Sequence, residues 1–217
     1  MVTWNTLSIT GYEHKPVPNT FIRQRDETSH AAIVLPGLGY TAQMPLLFYV
    51  TNHLLSLGAD VLQVNYDYMD TFRGLDGATR ERRLFADSDA AYHTLCEQRP
   101  YTHLTIVGKS LGTQAMTHLL ATQKLPARAE ALWLTPVLTN AAVREQIASF
   151  AGPSLVVIGT ADSYYDPALL AEIGETAMRT FAIIDGADHG MNVGDDVFRS
   201  LRALENALRA VADFFNH

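Results

Sequence analysis

The 217-residue chain is poor in cysteine, in positive charge and in long apolar stretches, and each shortage excludes a class of protein. Its one cysteine, Cys96, rules out an intramolecular disulfide and any multi-cysteine metal site, and suits a reducing compartment. Lys and Arg number 16 against 23 Asp and Glu, a formal net charge of −7. That balance offers no general attraction for a phosphate backbone or an anionic lipid surface, so neither nucleic acid nor membrane is an expected partner. No run approaches the ~20 apolar residues of a membrane span, and the opening MVTWNTLSIT lacks the basic start and apolar stretch of a secretory signal. A cytoplasmic protein is the simplest expectation. Repeats and linkers are missing too, and at roughly 150 residues per domain the chain reads as one domain over residues 1–217. No histidine or acid cluster has ligand spacing, so neither metal nor cofactor is expected.

What is present is a composition 47% hydrophobic and 18% charged, enough to fill a globular core. Four short apolar runs, Ala31–Leu35, Val61–Val64, Leu104–Val107 and Leu155–Ile158, are bounded by turn residues and read as buried strands. With Ala131–Leu134 and Thr180–Ile184 they make a sheet of about six strands, whose continuous apolar character suits parallel strands covered on both faces. Helical spacing lies between them: Leu46, Leu47, Val50, Leu54 and Leu57; Arg80–Gln98; Leu111, Ala115, Leu119 and Leu120; and Leu201, Leu204, Leu208, Val211 and Phe215. The stretch to about Gln24 alternates, as an antiparallel edge hairpin would. Alternating strands and helices imply a doubly wound α/β fold, whose reactive groups gather beyond the C-terminal strand ends.

One such end carries Gly108-Lys109-Ser110-Leu111-Gly112 between a strand and a helix. This is G-x-S-x-G in the setting that gives it mechanical meaning: a strained turn lifts the hydroxyl, and the flanking glycines let strand and helix approach. The helix aims its first N–H groups, that of Leu111 closest, at the place where an oxyanion would form. Ser110 is read as a nucleophile in preference to an ordinary N-cap because strand, turn and helix all surround it. A serine needs a base, and the base needs a partner. Two later strands end in Gly159-Thr160-Ala161-Asp162 and in Asp185-Gly186-Ala187-Asp188-His189-Gly190, each after enough chain for one helix and one strand. Asp166 precedes Pro167 and reads as a helix cap; Asp185 and Asp188 read as solvated loop acids. The other histidines carry no such motif.

These residues resemble the α/β-hydrolase superfamily, through GKSLG, GTAD and GADHG in the order serine, acid, histidine, over essentially the whole chain from about Ala31. The size is similar to that of the dienelactone-hydrolase-like and small carboxylesterase branches. The resemblance implies a Ser110–Asp162–His189 triad and transfers the second oxyanion donor to Leu38, in the turn Leu35-Pro36-Gly37-Leu38-Gly39-Tyr40. Pro36 departs from the family, where histidine is common. Dienelactone hydrolases carry a cysteine at the elbow; here Ser110 stands there, and Cys96, inside a helical pattern, is expected as a buried structural thiol. Only Thr135–Pro153 is free for a lid, and one helix over Ala141–Ser149 uses most of it, so the cap is minimal or absent. An open site bordered by Tyr40, Tyr66, Tyr68 and Met191 is expected to take a small-molecule acyl substrate, with packing favoured over a place at the pocket for Tyr40 and Tyr66–Thr79 available as a flap.

Two phosphate-binding patterns fail. Gly37-Leu38-Gly39-Tyr40-Thr41-Ala42 matches G-x-G-x-x-A, yet Asn65 stands where a ribose-binding acid belongs, with Asp67 as a weak substitute. Gly108-Lys109-Ser110 lacks the earlier glycine of a phosphate loop, because His103 occupies that position. Lys109 is then an elbow residue, structural or tuning the site electrostatically. A non-catalytic binding protein on the same fold is the rival class, since fold alone does not establish chemistry.

Overall fold

The computed structural model describes residues 1–66 and 68–216; Asp67, weighed above as a ribose-binding acid, and His217 lie outside the described residues. Along the chain come β1 (Val2–Asn5), β2 (Asn19–Gln24), β3 (His30–Leu35), α1 (Pro45–Ser56), β4 (Asp60–Val64), the short α2 (Tyr68–Thr71) and α3 (Gly77–Cys96). There follow β5 (His103–Lys109), α4 (Leu111–Thr122), β6 (Arg128–Leu134), α5 (Ala141–Ser149), β7 (Ser154–Gly159), α6 (Pro167–Ile173), β8 (Arg179–Ile184) and α7 (Val197–Phe215).

The eight strands pair in the order β1-β2-β4-β3-β5-β6-β7-β8. The six from β4 to β8 run parallel, and β1 and β2 form the antiparallel edge that the N-terminal alternation predicts. Successive residues of each apolar run point to opposite faces, so one run feeds two cores. Ile33, Leu35, Ile106, Trp133 and Val156 pack under α3, α4, α5 and α6. Ala32, Val34, Val107, Leu132 and Val157 pack against α1 and α7. Chain direction across the sheet reverses between β3 and β5, whose following helices α1 and α4 leave to opposite faces. In an open α/β sheet that reversal opens a crevice at the strand ends, where ligands bind.

Side-chain caps start three of the helices. Asp166 accepts a hydrogen bond from the Ala168 N–H at 2.8 Å and caps α6, ahead of Pro167 in its first turn. Asp76 caps α3 on the Thr79 N–H, and Asp196 caps α7 on the Arg199 N–H. Between β6 and β7 the chain forms only α5, which buries Val143 and Ile147 in the core.

Two expectations are corrected. The buried line of α7 is Ala203, Ala207 and Val211, whose small side chains let the helix approach the sheet; Leu201 is exposed, with Leu204, Leu208 and Phe215 on the flanks. Cys96 is exposed rather than buried, because Tyr92 and Leu95 take the inward line of α3 and the next residue turns about 100° away. Burial of its sulfur against neighbouring atoms still pushes the thiol above its ordinary value, which disfavours the nucleophilic thiolate.

Candidate active site

Ser110 occupies the turn between β5 and α4 with φ 51° and ψ −117°, a left-handed conformation rare for a residue with a side chain. The neighbours enforce it. A β-carbon added to Gly112 would meet the Leu35 carbonyl oxygen and lie 2.6 Å from its carbon, and one added to Gly108 would lie 2.8 Å from the Gly112 oxygen. Both glycines are therefore required by close approach of strand and helix. Thr113 secures the turn by donating its N–H and its hydroxyl to the Ser110 carbonyl, at 2.8 Å and 2.6 Å. The Ser110 hydroxyl itself makes no hydrogen bond among the described residues.

Asp162 and His189 arrive from the ends of β7 and β8. Asp162 is buried; one carboxylate oxygen accepts from the Tyr164 N–H at 2.9 Å and the other meets His189 Nδ1 at 2.8 Å. A carboxylate only accepts, so this bond puts the proton on Nδ1 and leaves Nε2 as the free position of the neutral ring. The edge contact with Tyr164, centroids 5.2 Å apart, steadies the imidazole from one side. Asp188 does more than meet solvent: its Oδ1 accepts from the Gly190 and Asn192 N–H groups, both at 2.8 Å, and closes the turn that carries His189. Gly159 lets β7 come against that turn, where a β-carbon would lie 2.6 Å from the Ala187 carbonyl carbon. Serine and imidazole are not hydrogen-bonded to each other here, as is common at hydrolytic sites without substrate.

The turn after β3 lies directly across from the elbow. A β-carbon at Gly37 would sit 3.1 Å from Ser110 Cβ, and Gly39 takes φ 70° to fold the turn back. Neither Leu38 nor Leu111 spends its backbone N–H on an acceptor among the described residues. A cavity of about 480 Å³ opens beside these two residues, floored by the buried Phe72 and Leu84 and rimmed by Gln114 and the exposed Arg80 and Glu81.

That lining differs from expectation. Tyr40 packs, as the favoured reading has it, and so does not line the cavity: its ring lies under Lys109 Nζ at 4.3 Å, and its hydroxyl accepts from the Leu46 N–H at the start of α1. Met191 is 2% exposed and belongs to the core under α1 and α7, bordering a separate 360 Å³ cavity with Gly190, Val197 and Leu201. Tyr66 and Tyr68 stack in parallel, as do Tyr68 and Phe72, and Asp87 accepts from the Tyr68 hydroxyl at 2.8 Å. These contacts anchor the proposed flap to α3, so only Phe72 of that stack faces the cavity. Phe72, Leu84 and Gln114 carry no motif that sequence reading could have caught.

Lys109 is 1% exposed. Its ammonium donates to Thr135 Oγ1 at 3.0 Å and to the His189 carbonyl at 2.9 Å, and burial lowers it to about 8 against the opposing pull of Asp162 and Asp188. Thr135 takes φ 44° at the end of β6 and was not anticipated; a positive-φ threonine leaves no trace in spacing.

Sheet order, elbow and histidine turn together define an α/β hydrolase, and the chain belongs to that family: the model of the alpha/beta hydrolase domain matches residues 29–216. Solved structures agree on the fold. A lidless α/β serine hydrolase from Xanthomonas campestris superposes with a TM-score of 0.70 at 19% identity, covering 98% of this chain and 94% of that one. An esterase from Pyrococcus furiosus gives 0.73 at 15% identity over 99% and 92%. A putative α/β hydrolase from Agrobacterium tumefaciens gives 0.74 at 16% identity over 98% and 97%. No curated protein matches the chain by sequence.

Proposed function

We propose that this protein hydrolyses carboxylic esters or thioesters through an acyl-enzyme on Ser110. The observation that carries the reading is the 2.8 Å bond between Asp162 and His189 Nδ1, which frees Nε2 as a base on the strand-end edge that presents the unbonded Ser110 hydroxyl. In the first step Nε2 takes the hydroxyl proton as Oγ adds to the substrate carbonyl carbon. The carbonyl oxygen becomes an oxyanion, stabilised by the N–H groups of Leu38 and Leu111 at the positive end of α4. His189 then gives its proton to the departing alkoxide or thiolate. Asp162 offsets the imidazolium charge between the two transfers. Water, deprotonated by the same nitrogen, adds to the acyl carbon; collapse breaks the bond to Oγ, returns the proton to Ser110 and releases the acid.

The 480 Å³ cavity supports a small or medium acyl substrate, or an exposed acyl group on a larger molecule, because its rim is open and none of the described residues caps it. Fluorophosphonate labelling of the wild type and of Ser110→Ala, followed by p-nitrophenyl esters of increasing chain length, tests the reading. Labelling and turnover are expected in the wild type and lost in the variant. Full esterase activity in folded Ser110→Ala would sink the mechanism, and an inert wild type would favour a binding role.

A further inference from the structure

Lys109 is the one charged group at the elbow that the chemistry above leaves idle, and its position is costly. Lysine is almost never fully buried without a partner, and no carboxylate lies within ion-pair distance of this ammonium among the described residues. Its contacts are two neutral oxygens, Thr135 Oγ1 and the His189 carbonyl, and the face of the Tyr40 ring. With burial bringing it to about 8, the amine is still mostly protonated at neutral pH. For support alone a methionine of similar length would serve at lower cost.

Topology indicates what that cost obtains. Lys109 immediately precedes Ser110, and its side chain is the single side-chain hydrogen bond, among the described residues, that joins the elbow to the histidine turn. Asp188 braces that turn only internally, and the Thr160 hydroxyl ties Asp185 and Gly186 to the end of β7. A continuous path therefore runs from the Ser110 backbone through Lys109 to the His189 carbonyl, and along His189 to its imidazole. Resting on the hydrolase reading, we propose that Lys109 is a positioning residue that fixes the separation of nucleophile and base by holding the base's own carbonyl from the residue beside the nucleophile. The charged groups facing the ammonium are Asp162 from the end of β7 and Asp188 from the histidine turn, with the neutral Tyr40 phenol, pushed above its ordinary value by burial, on the side of the turn after β3.

The test compares wild type, Lys109→Met and Thr135→Val, the second removing one hydroxyl partner and leaving the lysine. Turnover of p-nitrophenyl acetate, thermal melting and the low-field proton resonance of His189 Nδ1 are measured on each. Lys109→Met is expected to melt at or above the wild-type temperature while kcat falls by about ten- to a hundredfold, KM stays within about twofold, and the imidazole proton is displaced or broadened. Thr135→Val is expected to lower kcat less, with the same proton moved in the same direction. A Lys109→Met protein with wild-type kcat and resonance overturns the proposal. So does one that melts far below wild type while Thr135→Val behaves as wild type, because the lysine is then only structural. If the wild type neither turns over ester nor takes the fluorophosphonate label, the hydrolase reading fails, and the imidazole proton still decides whether Lys109 positions His189.

Discussion

Adding one carbon to Gly112 is the sharpest perturbation of the site that leaves all its chemical groups in place. In Gly112→Ala the new Cβ would run into the Leu35 carbonyl, with its carbon at 2.6 Å and the Pro36 oxygen at 2.9 Å. Carbon atoms pack at about 3.5–4.0 Å, so the start of α4 and the exit of β3 must part by about 1 Å. Leu111 precedes the altered residue and Leu38 lies three positions beyond Leu35, so the parting widens the gap between the two N–H groups assigned to the oxyanion. A misplacement of about 1 Å costs on the order of 10²-fold in rate, and overpacking a close contact costs about 1–3 kcal/mol in stability. Labelling rate with a fluorophosphonate, ester turnover and the melting midpoint read both losses in one sample. A variant that labels within threefold of wild type and melts at the same temperature would refute the reasoning, because Leu35 would then yield freely.

Asp162→Asn keeps the shape of the pair but can donate where the carboxylate only accepts, so His189 loses its defined tautomer; kcat is expected to fall by roughly 10³-fold or more with the fold intact, checked by turnover beside a melting curve. At the opposite end of the sheet, His30 is buried against His103, ring centroids 3.7 Å apart, and burial followed by the neighbouring imidazole lowers it to about 4. The unfolded chain then binds a proton that the fold does not, so this contribution is full above about pH 6.5 and is lost as pH falls toward about 4, by roughly 3 kcal/mol. Urea midpoints at about pH 7 and about pH 4.5 should show it, and an undiminished acid slope in His30→Gln would remove His30 from the account. Asp87 accepts from the Tyr12 N–H and the Tyr68 hydroxyl, both at 2.8 Å, with Arg83 3.6 Å away. Asp87→Ala strands all three, so a loss of about 3 kcal/mol is expected, with a raised KM as the Tyr68–Phe72 stack under the cavity loosens; an unchanged KM would detach that stack from the substrate site.

Much of the architecture was legible because it is written in near neighbours. Ala31–Leu35 and Leu155–Ile158 are apolar on both faces, which only a strand covered on both sides tolerates, and each extends by one residue or so in the structure. Asp166 before Pro167 specified a helix start, and Ala141–Ser149 is the helix that its spacing predicts. Asp162 and His189 stand at their strand ends and meet, since parallel strands of similar length bring their exits to one edge. On α7 Val211 is buried and Leu204, Leu208 and Phe215 pack at the flanks, while Leu201 departs from the expected face because the inward line is filled by Ala203 and Ala207, whose value lies in how closely a helix can approach. Tyr40 packs, the favoured of its two readings, whereas Met191 lies in the core, because a residue near the chemistry in sequence can turn to either side of its loop and packing behind the loop chooses.

By itself, then, the sequence determined the strand and helix order, the elbow with its two glycines, and the three strand ends from which serine, acid and histidine come. These rest on periodicity, capping and turn chemistry, which act over a few residues. The tertiary structure alone decided that Lys109 is buried under the histidine turn, that Thr135 receives it, that Cys96 is exposed, and that Phe72 and Leu84 floor the cavity. Each of those depends on partners far along the chain, 80 residues apart for Lys109 and His189, and no local pattern encodes which distant surface a side chain will meet.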